Sequence, residues 1–281
     1  MAKLIGQRYG KAQVRVLKIL RDGPVHSIRE IEVLALLAGD FETSYTAGDN
    51  GKVVPTDTIK NTINVFAKQH LVDDLERFAL ILGEHFVRRY EPVAQATIEI
   101  TERAWDRLEI GGQPHPHAFQ AASDARRFAQ AICRADRSEV AAGIRDLVIL
   151  KSTGSGFEGF PKCENTTLPE TADRILATSF RATWHFASAP ASYGEADDAI
   201  LAAMLKVFAE NYSPSAQTTL FQMGEAALQA CAEISRLELA MPNKHCLLLN
   251  LAPFGLENKN EVFVPTEEPF GLIEARVARD G

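Results

Sequence analysis

Two stretches of this 281-residue sequence put hydroxyl, carboxyl and backbone amide groups where a helix begins. In Val54-Pro55-Thr56-Asp57-Thr58, Thr56 is placed to cap the helix that follows. In Ser213-Pro214-Ser215-Ala216-Gln217, Ser213 is placed to cap and Pro214 to take the first helical position. Backbone N–H groups at such ends, including those of Asp57 and Ala216, lack intrahelical acceptors and attract planar anions and carbonyl oxygens. Taken singly, capping accounts for each stretch. Four further residues have equally plain readings. His245, in Met241-Pro242-Asn243-Lys244-His245, opens a strand on the face of Leu247, Leu249 and Leu251, where a histidine is ordinarily a hydrogen-bonded core residue. Asn243 ends the loop before it. Arg174 reads as an exposed cation on a helical turn, paired with a nearby carboxylate, and Lys11 reads as surface.

Two other strings resemble sites without meeting their requirements. Gly154-Ser155-Gly156-Phe157-Glu158-Gly159 fits G-x-G-x-x-G after a good strand, but Phe160-Pro161-Lys162-Cys163 has no helical period to hold a pyrophosphate. The glycines there shape a loop that presents Phe157. His115-Pro116-His117 offers two imidazoles with no further ligand at zinc spacing, and reads as a turn with two solvated histidines. Metalloprotease H-E-x-x-H and hydrolase G-x-S-x-G motifs are both absent.

The elements that must position these residues follow from hydrophobic period. Residues 13–21 and 28–38 flank Asp22-Gly23-Pro24 as a hairpin. Residues 57–69 switch to helical spacing with Ile59, Ile63 and Phe66, and 74–90 repeat it with Phe78, Leu82 and Phe86. Strands follow at 93–101 and about 127–133. The second half repeats the order: a strand at 144–153, a period-two strand at 177–186, helices near 195–210 and 214–230, and strands near 232–240 and 244–252. The expectation is an α+β chain of two tandem ββααββ modules, 1–138 and 139–281, with a seam near 135–142. Antiparallel sheets would carry both helices on one face. Open sheet edges and the uncovered face then call for a homo-oligomer closed into a barrel.

Composition narrows the function classes. Thirty Lys plus Arg against thirty-seven Asp plus Glu gives a formal charge of −7, which excludes a non-specific nucleic-acid binder. With 46% hydrophobic and 24% charged residues the chain is expected to be globular, and no apolar run is long enough to span a membrane as a helix. Cys133, Cys163, Cys231 and Cys246 form no C-x-x-C pair and read as reduced cytosolic thiols. Physics alone reaches a soluble, oligomeric α+β protein with two anion-friendly helix ends.

Taken together the segments resemble the urate oxidase (uricase) family. The strings are YGK at 9–11, PTDTIKNT at 55–62, HPHAF at 115–119, LKSTGSGFEGF at 150–160, ETADRILAT at 171–178, PNKH at 242–245 and NEVFVPTEEPFGLIEA at 260–275. They stand in the family's order across nearly the whole chain. The resemblance implies the tunnelling fold, with a barrel from two subunits and two stacked barrels forming a homotetramer. It implies oxidation of urate by dioxygen and water to 5-hydroxyisourate and hydrogen peroxide, without metal or organic cofactor. Phe157 would stack on the purine, and Arg174 and Gln217 would grip its edge. The N–H groups of Asp57 and Ala216 would complete the polar rim. Lys11, Thr56 and His245 would form the proton relay, and Asn243 with Thr56 would hold dioxygen or water above the ring. A lysine ammonium cannot accept a proton, so Lys11 would have to be neutral or shuttle the proton through Thr56. Lys11 and Thr56 would come from one subunit and the pincers from its neighbour.

The sequence departs from many eukaryotic members by ending Ala278-Arg279-Asp280-Gly281 without Ser-Lys-Leu; with no apolar signal core in MAKLIGQRYGK, a cytoplasmic enzyme is expected. Position 216 carries alanine where the family often has a larger aliphatic, which bears on pocket packing more than on the backbone contact. Two alternatives stay open here: a non-catalytic purine-binding protein, which would not need Lys11, Thr56 and His245, and a pterin-directed enzyme, which would carry an acidic anchor and often a metal.

Overall fold

The computed structural model describes residues 2–72 and 74–280. Asp22-Gly23-Pro24 reverses the chain as expected, and strands β1 (Tyr9–Leu20) and β2 (Ser27–Gly39) pair antiparallel. A short helix α1 (Glu42–Thr46), which the sequence pattern did not reveal, leads into α2 (Thr56–His70) and α3 (Leu75–Arg89). Strands β3 (Val93–Ile110) and β4 (Gln113–Arg134) then extend the sheet in the order β1-β2-β3-β4. Both are far longer than their apolar stretches, because their polar outer halves continue the hairpin to a turn at Gly111-Gly112. His115-Pro116-His117 therefore lies within β4, and the turn expected there is displaced to the two glycines.

The alternation of β2 explains the layer beneath the helices. Ile31, Val33, Ala35 and Leu37 are fully buried, and β3 adds Ile98 and Ile100 to the same face. Against them pack Ile59 and Ile63 of α2 and Phe78, Leu82 and Phe86 of α3, all buried at helical spacing. Each such side chain contributes about 1.5–3 kcal/mol by leaving water.

The second half contains β5 (Ser138–Lys151), β6 (Leu176–Phe186), α4 (Tyr193–Glu210), α5 (Ala216–Ala230) and β7 (Ile234–Pro242). Phe180, Ala182 and Trp184 of β6 are buried while Arg181 is exposed, as its period of two requires. The strand expected at 244–252 is corrected. Only β8 (His245–Leu248) forms there, and it pairs with β9 (Phe263–Thr266) as a separate hairpin. In the sheet β7 lies between β6 and β10 (Leu272–Ala278), pairing antiparallel with β10, and α5 lies against β7 and β10. Leu247 and Leu249, whose alternation suggested a core strand, are exposed.

The chain divides into two compact units, Met1–Ile144 with Trp184–Asp197, and Arg145–Thr183 with Asp198–Gly281. Both combine helices with antiparallel strands. No helix among the described residues is long and apolar enough to cross a membrane.

Candidate active site

Lys11, Thr56 and Asp57 belong to the first unit. Gly10 sits where a Cβ would come 1.8 Å from the carbonyl oxygen of Ala35, so β1 lies too close to β2 for any other residue. Lys11 is opposite Ala35, and the register then shifts before Val14, with Gln13 at φ 55°. That bulge re-aims the strand next to the half-buried Lys11. Facing it is the start of α2. Thr56 is the first helical residue rather than the cap: Pro55 occupies the cap position, and no side chain caps the helix. Proline fixes the lead-in geometry by itself, which leaves the exposed Thr56 hydroxyl unused by the helix. The Asp57 carboxylate binds Lys60 Nζ and Asn61 Nδ2. Those bonds, chiefly to Lys60, hold its carboxyl below the ordinary range, and the Lys11 charge adds to the effect. Lys11 thus lies within electrostatic reach of the α2 N-terminus.

Phe157, Arg174, Ala216, Gln217, Asn243 and His245 belong to the second unit. Gly154 and Gly159, at φ 73° and 70°, bracket the Phe157 loop. Asp173 clamps the start of that loop, its carboxylate accepting from Thr153 Oγ1 and from the N–H of Gly154. Phe157 and Thr171 exchange backbone hydrogen bonds of 2.7 and 3.2 Å, and the Arg174 N–H donates to Ser155 O at 2.7 Å. Arg174 is therefore on an extended segment, not the exposed helical turn expected of it. Its guanidinium carbon lies 5.3 Å from the Phe157 ring centre. Phe160 stacks on Phe157 at 4.9 Å and 13°.

The lead-in to α5 is tied to the same loop, with Gly156 donating to Ser213 O and Ser213 to Gly154 O. A Cβ on Gly156 would meet Tyr212 Oη at 2.3 Å and Thr171 O at 3.0 Å, so glycine lets the tyrosine close over this approach. Ser213 does not cap α5. It is buried, and its hydroxyl pairs with Thr219 Oγ1 and Ser215 O. Ser215 is the cap, accepting from the Thr218 N–H, and the helix starts at Ala216 rather than Pro214. Ala216 and Gln217 still present N–H groups that the helix cannot satisfy, with Ala216 buried and Gln217 exposed.

Asn243 bridges Thr178, four residues beyond Arg174, and its N–H donates to Gly271 O. Its carboxamide nitrogen is 3.3 Å from His245 Nδ1. His245 is half-buried at the start of β8, outside any packed core.

The electrostatic feature that stands out is Arg174. Its Nε is buried and has no hydrogen-bond partner among the described residues. Burial also lowers the pKa of the guanidinium, the direction expected when a cation is desolvated. A buried, unpaired donor beside an aromatic ring is costly unless a ligand completes it. His115 and His117, by contrast, turn on each other: their rings meet edge to face at 4.6 Å, and His115 Nδ1 faces the His117 N–H at 3.3 Å. No group of three or more His, Cys, Asp or Glu among the described residues could hold a metal ion. Sequence reasoning missed Tyr9, whose hydroxyl accepts from the Val54 N–H, and Ser215; the only signal for the latter was the second serine of Ser-Pro-Ser.

Comparison with known proteins adds a family. The Uricase family model matches residues 7–132 and 140–274. The chain is 40% identical to the uricase of Arthrobacter globiformis over 279 residues, 99% of this chain and 91% of that one. It is also 40% identical to the uricase of Aspergillus flavus over 299 residues, covering 99% and 98%. The crystal structure of the Arthrobacter globiformis protein superposes with a TM-score of 0.94, over all of this chain and 96% of that one.

Proposed function

The chain belongs to the uricase family, and from that premise we propose that it oxidises urate with dioxygen and water to 5-hydroxyisourate and hydrogen peroxide, using neither metal nor organic cofactor. The observation that carries the site assignment is the buried, unpaired Arg174 Nε beside Phe157. Urate supplies what that pair lacks, a flat anion whose edge carries a carbonyl and an anionic ring nitrogen. In this reading Phe157 stacks on the purine, Arg174 and Gln217 grip its edge, and the N–H groups of Ala216 and Asp57 bind the rim.

Removal of a second proton makes the urate anion electron-rich enough to reduce dioxygen. Lys11 takes that proton through Thr56, with His245 on the same relay, while Asn243 and Thr56 hold dioxygen or water above the ring. Electrons pass from urate to dioxygen, the resulting hydroperoxide is displaced by water, and peroxide leaves. One urate, one dioxygen and one water give one 5-hydroxyisourate and one hydrogen peroxide. The chain contributes placement and charge stabilisation.

Lys11 and Thr56 sit in one unit, and His245 sits with the pincers in the other. We read the working site as shared, with Lys11, Thr56 and Asp57 from one copy of the chain and the remaining residues from its neighbour, in a homotetramer of tunnelling-fold barrels. Exposed apolar residues on the β8–β9 hairpin, Leu247, Leu248 and Val264, support association with further copies. Exhaustively chelated protein is expected to bleach urate absorbance with equimolar oxygen uptake and peroxide release. Activity that disappears on chelation and returns with added metal would overturn the cofactor-free reading.

A further inference from the structure

We propose that Tyr9 is a positioning residue for the proton-relay half of the site, an inference that rests on the reading of Lys11 and Thr56 given above. Tyr9 and Lys11 are two residues apart on β1 and share a strand face. The Tyr9 hydroxyl accepts a 2.7 Å hydrogen bond from the N–H of Val54, a buried residue two positions before Thr56. One bond therefore links the strand that carries Lys11 to the backbone that delivers Thr56.

The surroundings leave that bond little freedom. The Tyr9 ring stands edge-on to the fully buried Phe41 at 4.9 Å and 86°. Gly10 holds β1 against Ala35, so the strand cannot slide to compensate. On the other side, Pro55 has no N–H, which makes Val54 the last donor before the helix. Burial raises the phenol pKa above its ordinary value, with the Val54 bond opposing the shift, so the hydroxyl stays neutral. A single phenol oxygen thus ties the strand that carries Lys11 to the residues leading into α2.

Tyr9→Phe keeps the ring and removes only that oxygen. Its kcat is expected to fall about 10- to 100-fold, the scale on which small misplacements of reacting groups act. KM should change less than about twofold, because the pincers are untouched, and the pH profile of kcat should move. Ile63→Val, a cavity in the same helix away from the site, serves as the stability control and should keep wild-type kcat. A Tyr9→Phe kcat within about twofold of wild type, or an equal loss of kcat in Ile63→Val, would overturn the proposal. Lys11→Met and Thr56→Val separate it from the reading beneath it. If both lose turnover and Tyr9→Phe does not, only the positioning role fails; if Lys11→Met and Thr56→Val keep full turnover, the relay reading fails and takes this role with it.

Discussion

Replacing Glu76 with glutamine should remove a large pH dependence of stability that has nothing to do with catalysis. Glu76 is 2% exposed near the start of α3, and Asp197 is 7% exposed in the first turns of α4. The two carboxyls are hydrogen-bonded, and Asp197 also accepts from the Trp184 indole at 2.7 Å. Around them, Asp74 accepts the Tyr193 and Gly194 N–H groups at 3.2 and 3.0 Å, and Arg77 acts on Tyr193. Burial first, and the Asp197 charge second, push the Glu76 pKa from 4.5 up to about 9. The folded pair therefore keeps a proton that an unfolded glutamate loses above pH 4.5. Stability from this proton is complete below the unfolded value and drains away as pH rises toward about 9. One proton corresponds to about 1.4 kcal/mol per pH unit. From pH 6 to pH 8 the wild type should lose roughly 2–3 kcal/mol from this source, about 5–10 °C in Tm for units of this size. Glutamine stays neutral and can still donate to Asp197, so Glu76→Gln should nearly match wild type at pH 5 and exceed it by pH 8. Thermal unfolding at pH 5, 6, 7 and 8 would read this directly. Parallel Tm curves for the two proteins would refute the shared-proton account.

Three further outcomes follow from the site. Lys11→Met should slow turnover by roughly 10²–10⁴-fold while urate still binds, checked by steady-state rates beside equilibrium binding. Arg174→Lys loses the fork that meets a planar edge and should weaken urate binding by about 1–3 kcal/mol, which calorimetry would measure. Ser215→Ala deletes the α5 cap and should cost about 0.5–2 kcal/mol in denaturant unfolding, whereas Thr56→Ala, which removes no cap, should cost markedly less.

Local pattern carried much of the fold. Ile59 and Ile63, then Phe78, Leu82 and Phe86, mark two helices because burial against a sheet leaves a 3.6-residue record, and Asp22-Gly23-Pro24 marks a turn by backbone geometry. Pairing partners leave no such record. The alternating leucines after His245 look like a core strand, yet β7 takes β10 thirty residues farther on and the leucines stay exposed. Helix ends were legible to within two residues. A threonine after proline and a serine before proline both resemble caps, and only the reach of Ser215 Oγ to the Thr218 N–H decides the second. Arg174 could not be read locally, because its backbone is held by Ser155, nineteen residues earlier. Site roles came from family resemblance, while the unpaired Nε, the Phe157 contact and the Tyr9–Val54 link are physical features that emerged only with three-dimensional geometry.

The most direct test of a urate-oxidising site shared between copies is complementation. Lys11→Met and Arg174→Ala chains, each inactive alone, would be unfolded, mixed in equal amounts and refolded together, and urate-dependent oxygen uptake measured. If relay and pincers come from different copies, random pairing leaves about a quarter of the sites with both residues intact, and the mixture should recover about a quarter of wild-type activity. A mixture as inactive as either parent, under conditions where refolded wild type regains its rate, would contradict the account.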